Sequence, residues 1–463
     1  MTKLELVSGF SGSDTLGTIR AEPLTVRVTR DAEPVVGAEV RFHDASPDGT
    51  HVFMASTTSI TGFLDTISEP TDAQGMASVD VKLLHAGEAR IEAMLTSSAE
   101  VVDTATYDVL PGQPVRRILS PVDPGTYAGG TVQFEPRIVD REFNTLPLEA
   151  TVEVVSGPIA LAGNNRVSGE SLGTGLVTTS GEGTIADTTR VFVVPRGELV
   201  YSNYHDPRMV SVARLDGSDV RDVATSVVSP SVSAWPEPVW HPDGDRIVYV
   251  DDFRPRTLWV ASLSGALQPH EIYAQGTDVE APAVSPDGDW VYFGGNDRIW
   301  RVRIDGTGAE PIGEPSGGQI ESYPSPSPDG SRIVLQDDTQ ELHIKDVATG
   351  DVDAAFSVSG VWPSWSPDGE WIAFIADYDR GDSGRLMRVH PDGTGLEEIP
   401  MEDGLWEGPI SWSPDGEWLL LVRRIRVANT TSGYTTVVNV GTGQAIQLPA
   451  PPGGSANRAW RPE

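Results

Sequence analysis

The residues of greatest chemical capacity in this chain come in phase. Just ahead of a strand-like segment that recurs through the C-terminal part stand Trp235 and Glu237, Glu280, Glu321 and Tyr323, Trp362, Trp406 and Glu407, and Asn457. Four of these are carboxylates and four are aromatic. Gathered in one place they would form an acidic, aromatic-lined funnel, suited to a cationic peptide, an arginine or lysine side chain, a divalent cation, or a sugar stacked on tryptophan. A second group, Asp377, Asp379 and Asp382, sets carboxylates at near-alternate positions, an arrangement that collects oxygen ligands for calcium. The glycine and glutamate of a helix-loop-helix calcium loop are missing, so a solvated acidic turn is expected there.

Most other chemistry is absent from the sequence. Without cysteine there are no disulfides, thiolate nucleophiles, iron–sulfur clusters or cysteine zinc sites. The eight histidines, among them His43, His241 and His343, show no paired i, i+4 spacing of a helical zinc site. Gly163-Asn-Asn-Arg-Val-Ser-Gly169 is bracketed by glycines but leads into a β segment, so it offers no phosphate cradle at a helix N-terminus. Gly381-Asp-Ser-Gly384 resembles the nucleophile segment of trypsin-like proteases. It falls where a hairpin is needed, and no matching His and Asp framework precedes it. No catalytic residue and no cofactor other than calcium is expected.

Charge narrows the partners. The 463 residues carry 33 Lys+Arg against 67 Asp+Glu, a formal net charge of −34. Nucleic acid and anionic membrane surfaces are disfavoured, because both require clustered cations. No apolar run approaches the roughly 18 residues of a membrane span. If the protein is exported, its signal peptide is absent from the sequence shown.

The elements that must position the funnel are set by a repeat. Trp240-His-Pro-Asp-Gly244, Val284-Ser-Pro-Asp-Gly288, Pro326-Ser-Pro-Asp-Gly330, Trp365-Ser-Pro-Asp-Gly369 and Trp412-Ser-Pro-Asp-Gly416 are five copies of one turn, and Trp460-Arg-Pro-Glu463 begins a sixth. Proline pre-sets φ, and glycine takes the left-handed conformation that follows. Each complete copy runs into an apolar strand such as Trp371-Ile-Ala-Phe374. Glycine turns at Leu215-Asp-Gly217, Leu263-Ser-Gly265, Ile304-Asp-Gly306, Ala348-Thr-Gly350, His390-Pro-Asp-Gly393 and Val440-Gly-Thr-Gly443 give a second marker with the same count. Two markers in phase predict four-stranded units around an axis, the last completed by residues 455–462 beside residues 198–225.

On these residues, the region 197–463 resembles the TolB-type six-bladed β-propeller built of WD40-like PD40 repeats. All twelve tryptophans lie at or after Trp235, so the first 196 residues differ in kind. Leu24-Thr-Val-Arg-Val28, Glu33–Val40 and Thr71-Asp-Ala-Gln-Gly-Met-Ala-Ser-Val79 resemble a bacterial Ig-like domain of the invasin/intimin type over 1–111. Gly130-Thr-Val-Gln-Phe134 and Val191-Phe-Val-Val-Pro195 resemble a second bacterial Ig-like domain over 112–196. An all-β chain of two Ig-like sandwiches and a propeller closed by its C-terminal strand is therefore expected.

TolB itself pairs its propeller with an α/β domain and binds a lipoprotein at the channel mouth, whereas the partner domains here resemble Ig modules. The resemblance implies a non-enzymatic, exported bacterial binding or scaffold protein, periplasmic or at the cell surface, with a protein or polysaccharide partner. Two alternatives stand beside it. One is a subunit of an extracellular filament or envelope complex, assembled by strand addition near Met1–Gly12. The other is a propeller enzyme such as a polysaccharide lyase.

Overall fold

Alternation decides which face of each N-terminal strand is buried. In Met76–Leu83 every second residue is buried, so Ala77, Val79, Val81 and Leu83 form one apolar row. The computed structural model describes residues 1–463 apart from 16–18, 48–51, 58–61, 182–184, 204–208, 226–236, 251–255, 275–278, 380–382, 401–404, 428–429, 450–455 and 462–463. Among the described residues the regular elements are strands, with one 3-10 turn at Ser316–Gly318.

The first unit is two five-stranded sheets around one core, in which Val26, Phe42, Met54, Val79 and Ile91 are fully buried. Its first strands serve both sheets. Thr2–Ser8 runs antiparallel to Leu24–Arg30, and Ser11–Thr15 runs parallel to Ser98–Leu110. Tyr107 locks this crossover by donating its hydroxyl to the Gly9 carbonyl at 2.7 Å. The segment Met1–Gly12, expected as a site of strand addition, contributes to the edge strand of each sheet, Thr2–Ser8 in one and Ser11–Thr15 in the other, each paired on one side.

The second unit builds four-, three- and two-stranded sheets over a core of Leu119, Phe134, Val167, Val177 and Val191. It touches both neighbours. The Ala86 N–H donates to Asn144 Oδ1 at 3.0 Å on the first unit's side. Toward the C-terminal region, Phe192 and Val194 join Leu199, Trp418, Leu448 and Trp460 in one continuous core.

From Glu198 onward the described residues form six four-stranded antiparallel sheets. Five are consecutive in sequence, beginning with Val239–Trp240, Glu280–Val284, Glu321–Pro326, Val361–Trp365 and Leu405–Trp412. In the remaining one, Ala456–Trp460 pairs antiparallel with Glu198–Asn203, at the opposite end of the region. The first strands of the five consecutive sheets and the Ala456–Trp460 segment surround a single central channel, so the sheets are blades of a closed ring.

Both sequence markers turn out to be joints between blades. A Cβ on Gly330 would meet Pro286 of the preceding blade at 3.7 Å. On Gly369 it would meet Pro328, and on Gly416 Pro367, each at 3.6 Å. The second marker does the same further out, with Gly350 against the backbone of Gly313 and Gly443 against the Pro400 carbonyl. All of these glycines have a positive φ, and at Gly350 and Gly443 the close approach excludes a Cβ as well.

Candidate functional site

Each innermost strand pairs along one edge only, leaving the other edge to the channel. Four of these strands carry a bulge at the same place. Register slips between Glu280 and Ala283, Ser322 and Ser325, Val361 and Ser364, and Glu407 and Ser411. Within each bulge the residue before a proline has positive φ: Ala281 at 50°, Tyr323 at 53°, Trp362 at 52° and Gly408 at 83°. A side chain before proline is normally held in extended backbone, so the conformation stores strain at one level of the ring.

Neighbouring side chains hold two of the bulges. Glu237 accepts the Ala281 N–H, and Gln336 Oε1 accepts the Trp362 N–H. Glu237 also receives the Arg256 guanidinium at 3.3 Å, in a pair whose side chains are only 10% and 15% exposed. The Tyr323 hydroxyl lies in the field of this pair and of Glu280. Burial, reinforced by the Glu237 and Glu280 carboxylates, pushes its pKa well above the usual phenol range, so it remains protonated. Tyr323 and Trp362 meet edge to face at 6.3 Å, and Trp362 meets Tyr378 at 4.7 Å. The mouth therefore has an ionic side on the Glu237 blade and an aromatic arc on the Tyr323 and Trp362 blades.

Below the mouth, the channel has a volume of about 610 Å³. Among the described residues, eleven of the thirty that line it are prolines and five are tryptophans, and Glu237 and Arg461 are the charged ones. Hydrogen bonds sew the wall from blade to blade: Trp365 N–H to Ser325 Oγ at 2.9 Å, Trp460 N–H to Ser411 Oγ at 2.9 Å, and Trp412 Nε1 to the Ser364 carbonyl at 3.0 Å.

The expected funnel residues divide. Glu237, Tyr323 and Trp362 line the channel, whereas Glu280, the first residue of its strand, is not among the lining residues and lies close enough to act electrostatically on the Tyr323 hydroxyl. Glu321 does not line it. Two positions before Tyr323, its carboxylate is fully buried on Lys345 Nζ at 2.6 Å and accepts the Ser316 N–H at 2.6 Å. Trp406 lies in the core between the last two consecutive blades, with Arg423 over its ring at 5.7 Å. Trp235 and the side chains of Glu407 and Asn457 fall outside the described residues.

Of the aspartate group, the Asp377 carboxylate accepts from Arg385 Nε at 2.7 Å. Asp382 and the Asp379 side chain fall outside the described residues. Reasoning from spacing missed Arg256, Gln336 and Tyr378, which come from segments outside the repeated motif. It also passed over the in-phase prolines Pro238, Pro282, Pro324, Pro363 and Pro409, which were visible in the sequence.

Residues 196–416 match the family model of the TolB beta propeller domain, PD40. The match to a TolB-type β-propeller domain thus covers most of the ring of sheets, up to residue 416. A curated but uncharacterized protein of Agrobacterium fabrum is 30% identical over 158 residues, covering 29% of this chain and 53% of that protein. The chain spans about half the length of this curated relative. Among solved structures, TolB from Acinetobacter baumannii is similar at a TM-score of 0.48 and 17% identity, over 69% of this chain and 84% of that one. An oligogalacturonate lyase in complex with manganese is similar at a TM-score of 0.38 and 15% identity, over 55% and 72%.

Proposed function

We propose that this is a non-enzymatic binding or scaffold protein whose propeller holds a macromolecular partner at the channel mouth. The single observation that carries the reading is the mouth itself: strained aromatic positions at 323 and 362, a shielded Glu237–Arg256 pair, and a channel of about 610 Å³ behind them. Strain of this kind collects at ligand-contacting positions, and an apolar cavity with few fixed polar groups suits recognition. The two N-terminal units act as Ig-like modules that carry the propeller in a periplasmic or surface setting. Among the described residues, no helix is long and apolar enough to cross a membrane.

The test is a photo-reactive amino acid at Trp362, compared with one at Ser331 in a turn at the opposite end of the ring. A macromolecular adduct from the producing cells is expected at 362 and not at 331. An adduct at 331 alone would move the binding face to the other end of the ring. The runner-up is a lyase, and turnover of a uronate polymer with manganese by the purified chain would replace the binding reading.

A further inference from the structure

Below the mouth the channel has a belt with two faces. On each innermost strand the residue just ahead of Trp240, Val284, Pro326, Trp365, Trp412 or Trp460 lines it: Val239, Ala283, Ser325, Ser364, Ser411 and Ala459. All six are partly exposed, whereas their described neighbours along the strands are mostly buried. In ring order they fall into two arcs, Ala459, Val239 and Ala283 on three successive blades and Ser325, Ser364 and Ser411 on the other three. One half of the belt is aliphatic and the other carries hydroxyls.

The hydroxyl arc keeps capacity to bond. Ser325 Oγ accepts the Trp365 N–H and Ser411 Oγ the Trp460 N–H, both at 2.9 Å, so each retains its own proton and a further lone pair. Among the described residues the Ser364 hydroxyl bonds no other group, its carbonyl alone being engaged, by Trp412 Nε1. The free strand edges add N–H and C=O groups, so donors and acceptors are offered together.

Charge and aromatic stacking are not on offer at this level. Glu237, two residues toward the mouth from Val239, is held by Arg256, and Arg461, two residues the other way from Ala459, is held by Glu198. The Trp240 and Trp365 indoles donate to the Ala459 and Gly369 carbonyls at 3.3 and 3.2 Å, and Arg461 and Arg332 lie over their rings.

We propose that this belt is a second binding site, for a single uncharged pyranose sugar, set deeper than the mouth and separate from the mouth's macromolecular partner. A charged ligand would lose its water with no free counter-charge beside it. A wholly apolar ligand would strip water from three hydroxyls and return no bond. A neutral sugar ring matches both arcs, because its hydroxyls give and accept as serine does while a C–H edge lies on Ala459, Val239 and Ala283. The in-phase prolines just toward the mouth stiffen the wall, so little ordering is needed on binding. The volume of about 610 Å³ is that of a small-ligand pocket.

Ligand-observed NMR titration of the full chain with glucose, galactose and mannose, beside the charged galacturonate, tests this. At least one neutral sugar is expected to bind, with no dependence on potassium chloride, and galacturonate is expected not to. Ser364→Ala should raise the dissociation constant of the bound sugar about fivefold through one lost hydrogen bond. Ala283→Phe should abolish binding by filling the apolar arc, and Ser364→Ala decides the matter should that variant fail to fold. Binding that neither substitution alters places the sugar elsewhere and overturns the proposal. Galacturonate binding as tightly as the neutral sugars overturns it too, as does failure of all three neutral sugars to bind. The crosslink at 362 reads the mouth alone, so either reading can fall while the other stands.

Discussion

Asp329 shows how much a single turn residue does in this ring. Its carboxylate accepts from Ser327 Oγ at 2.6 Å, Ser331 Oγ at 2.8 Å and the Ser331 N–H at 3.0 Å. These bonds, the Ser327 hydroxyl first, lower its pKa to about 2. Because the folded value lies below the unfolded value of about 3.9, the contribution is complete above roughly pH 4 and is lost as pH falls toward 2. In denaturant titrations, the stability difference between the native chain and Asp329→Asn should therefore be constant at neutral pH and shrink to nothing in that acid window.

The Glu321–Lys345 pair carries a different expectation, because both side chains are fully buried. Lys345→Met alone should cost about 3–5 kcal/mol by stranding a carboxylate, and adding Glu321→Leu should recover much of the loss. Equal stabilities for the single and double variants would show that the pair is not coupled. Both residues were visible in the sequence, yet Glu321 was grouped with the mouth. The bulge at Tyr323 and the reach of Lys345 from another strand are not properties of spacing.

At the level of the element, the repeated glycines separate local strain from tertiary fit. Gly369 and Gly443 have φ of +77° and +72°, so alanine at either meets the same left-handed penalty of about 1–2 kcal/mol. They differ in what lies beyond. A Cβ at 369 has Pro328 at 3.6 Å, an ordinary contact, whereas at 443 it would overlap the Pro400 carbonyl. Chemical denaturation should find Gly443→Ala the more damaging by severalfold. Equal losses would mean that the outer joint yields without strain. The turns themselves were legible from Pro-Asp-Gly, since their conformations are local. Their role in clasping the preceding blade was not.

Across the whole molecule, the two ends of the propeller region are joined in one blade, and the second N-terminal unit is joined to that blade in turn. Ala456–Trp460 pairs with Glu198–Asn203, and Arg461 pairs with Glu198 while its guanidinium lies over Trp240 at 5.3 Å. Deleting residues 455–463 should abolish cooperative unfolding of the propeller, and an unchanged melting curve would refute closure by this strand. Phe192 contributes to the core shared with Trp418 and Trp460. Phe192→Ala should cost about 3–5 kcal/mol and lower the melting of the propeller as well as of its own unit. A loss confined to residues 112–196 would show that the two unfold independently.

The sequence by itself determined the all-β class, the position and number of the repeated turns, and the joining of the chain's last segment to residues 198–225 in one unit. Those follow from backbone preferences and hydrophobic period, which act over a few residues, and from a count of in-phase copies. Only the tertiary structure decided which in-phase side chains face the channel. Glu237, Tyr323 and Trp362 do, while Glu321 turns to Lys345 and Trp406 into a core between blades. The reason is geometric: a one-residue bulge reverses the facing of a strand. The partners that hold two of the bulges, Glu237 for Ala281 and Gln336 for Trp362, come from the neighbouring blade rather than from nearby in the chain.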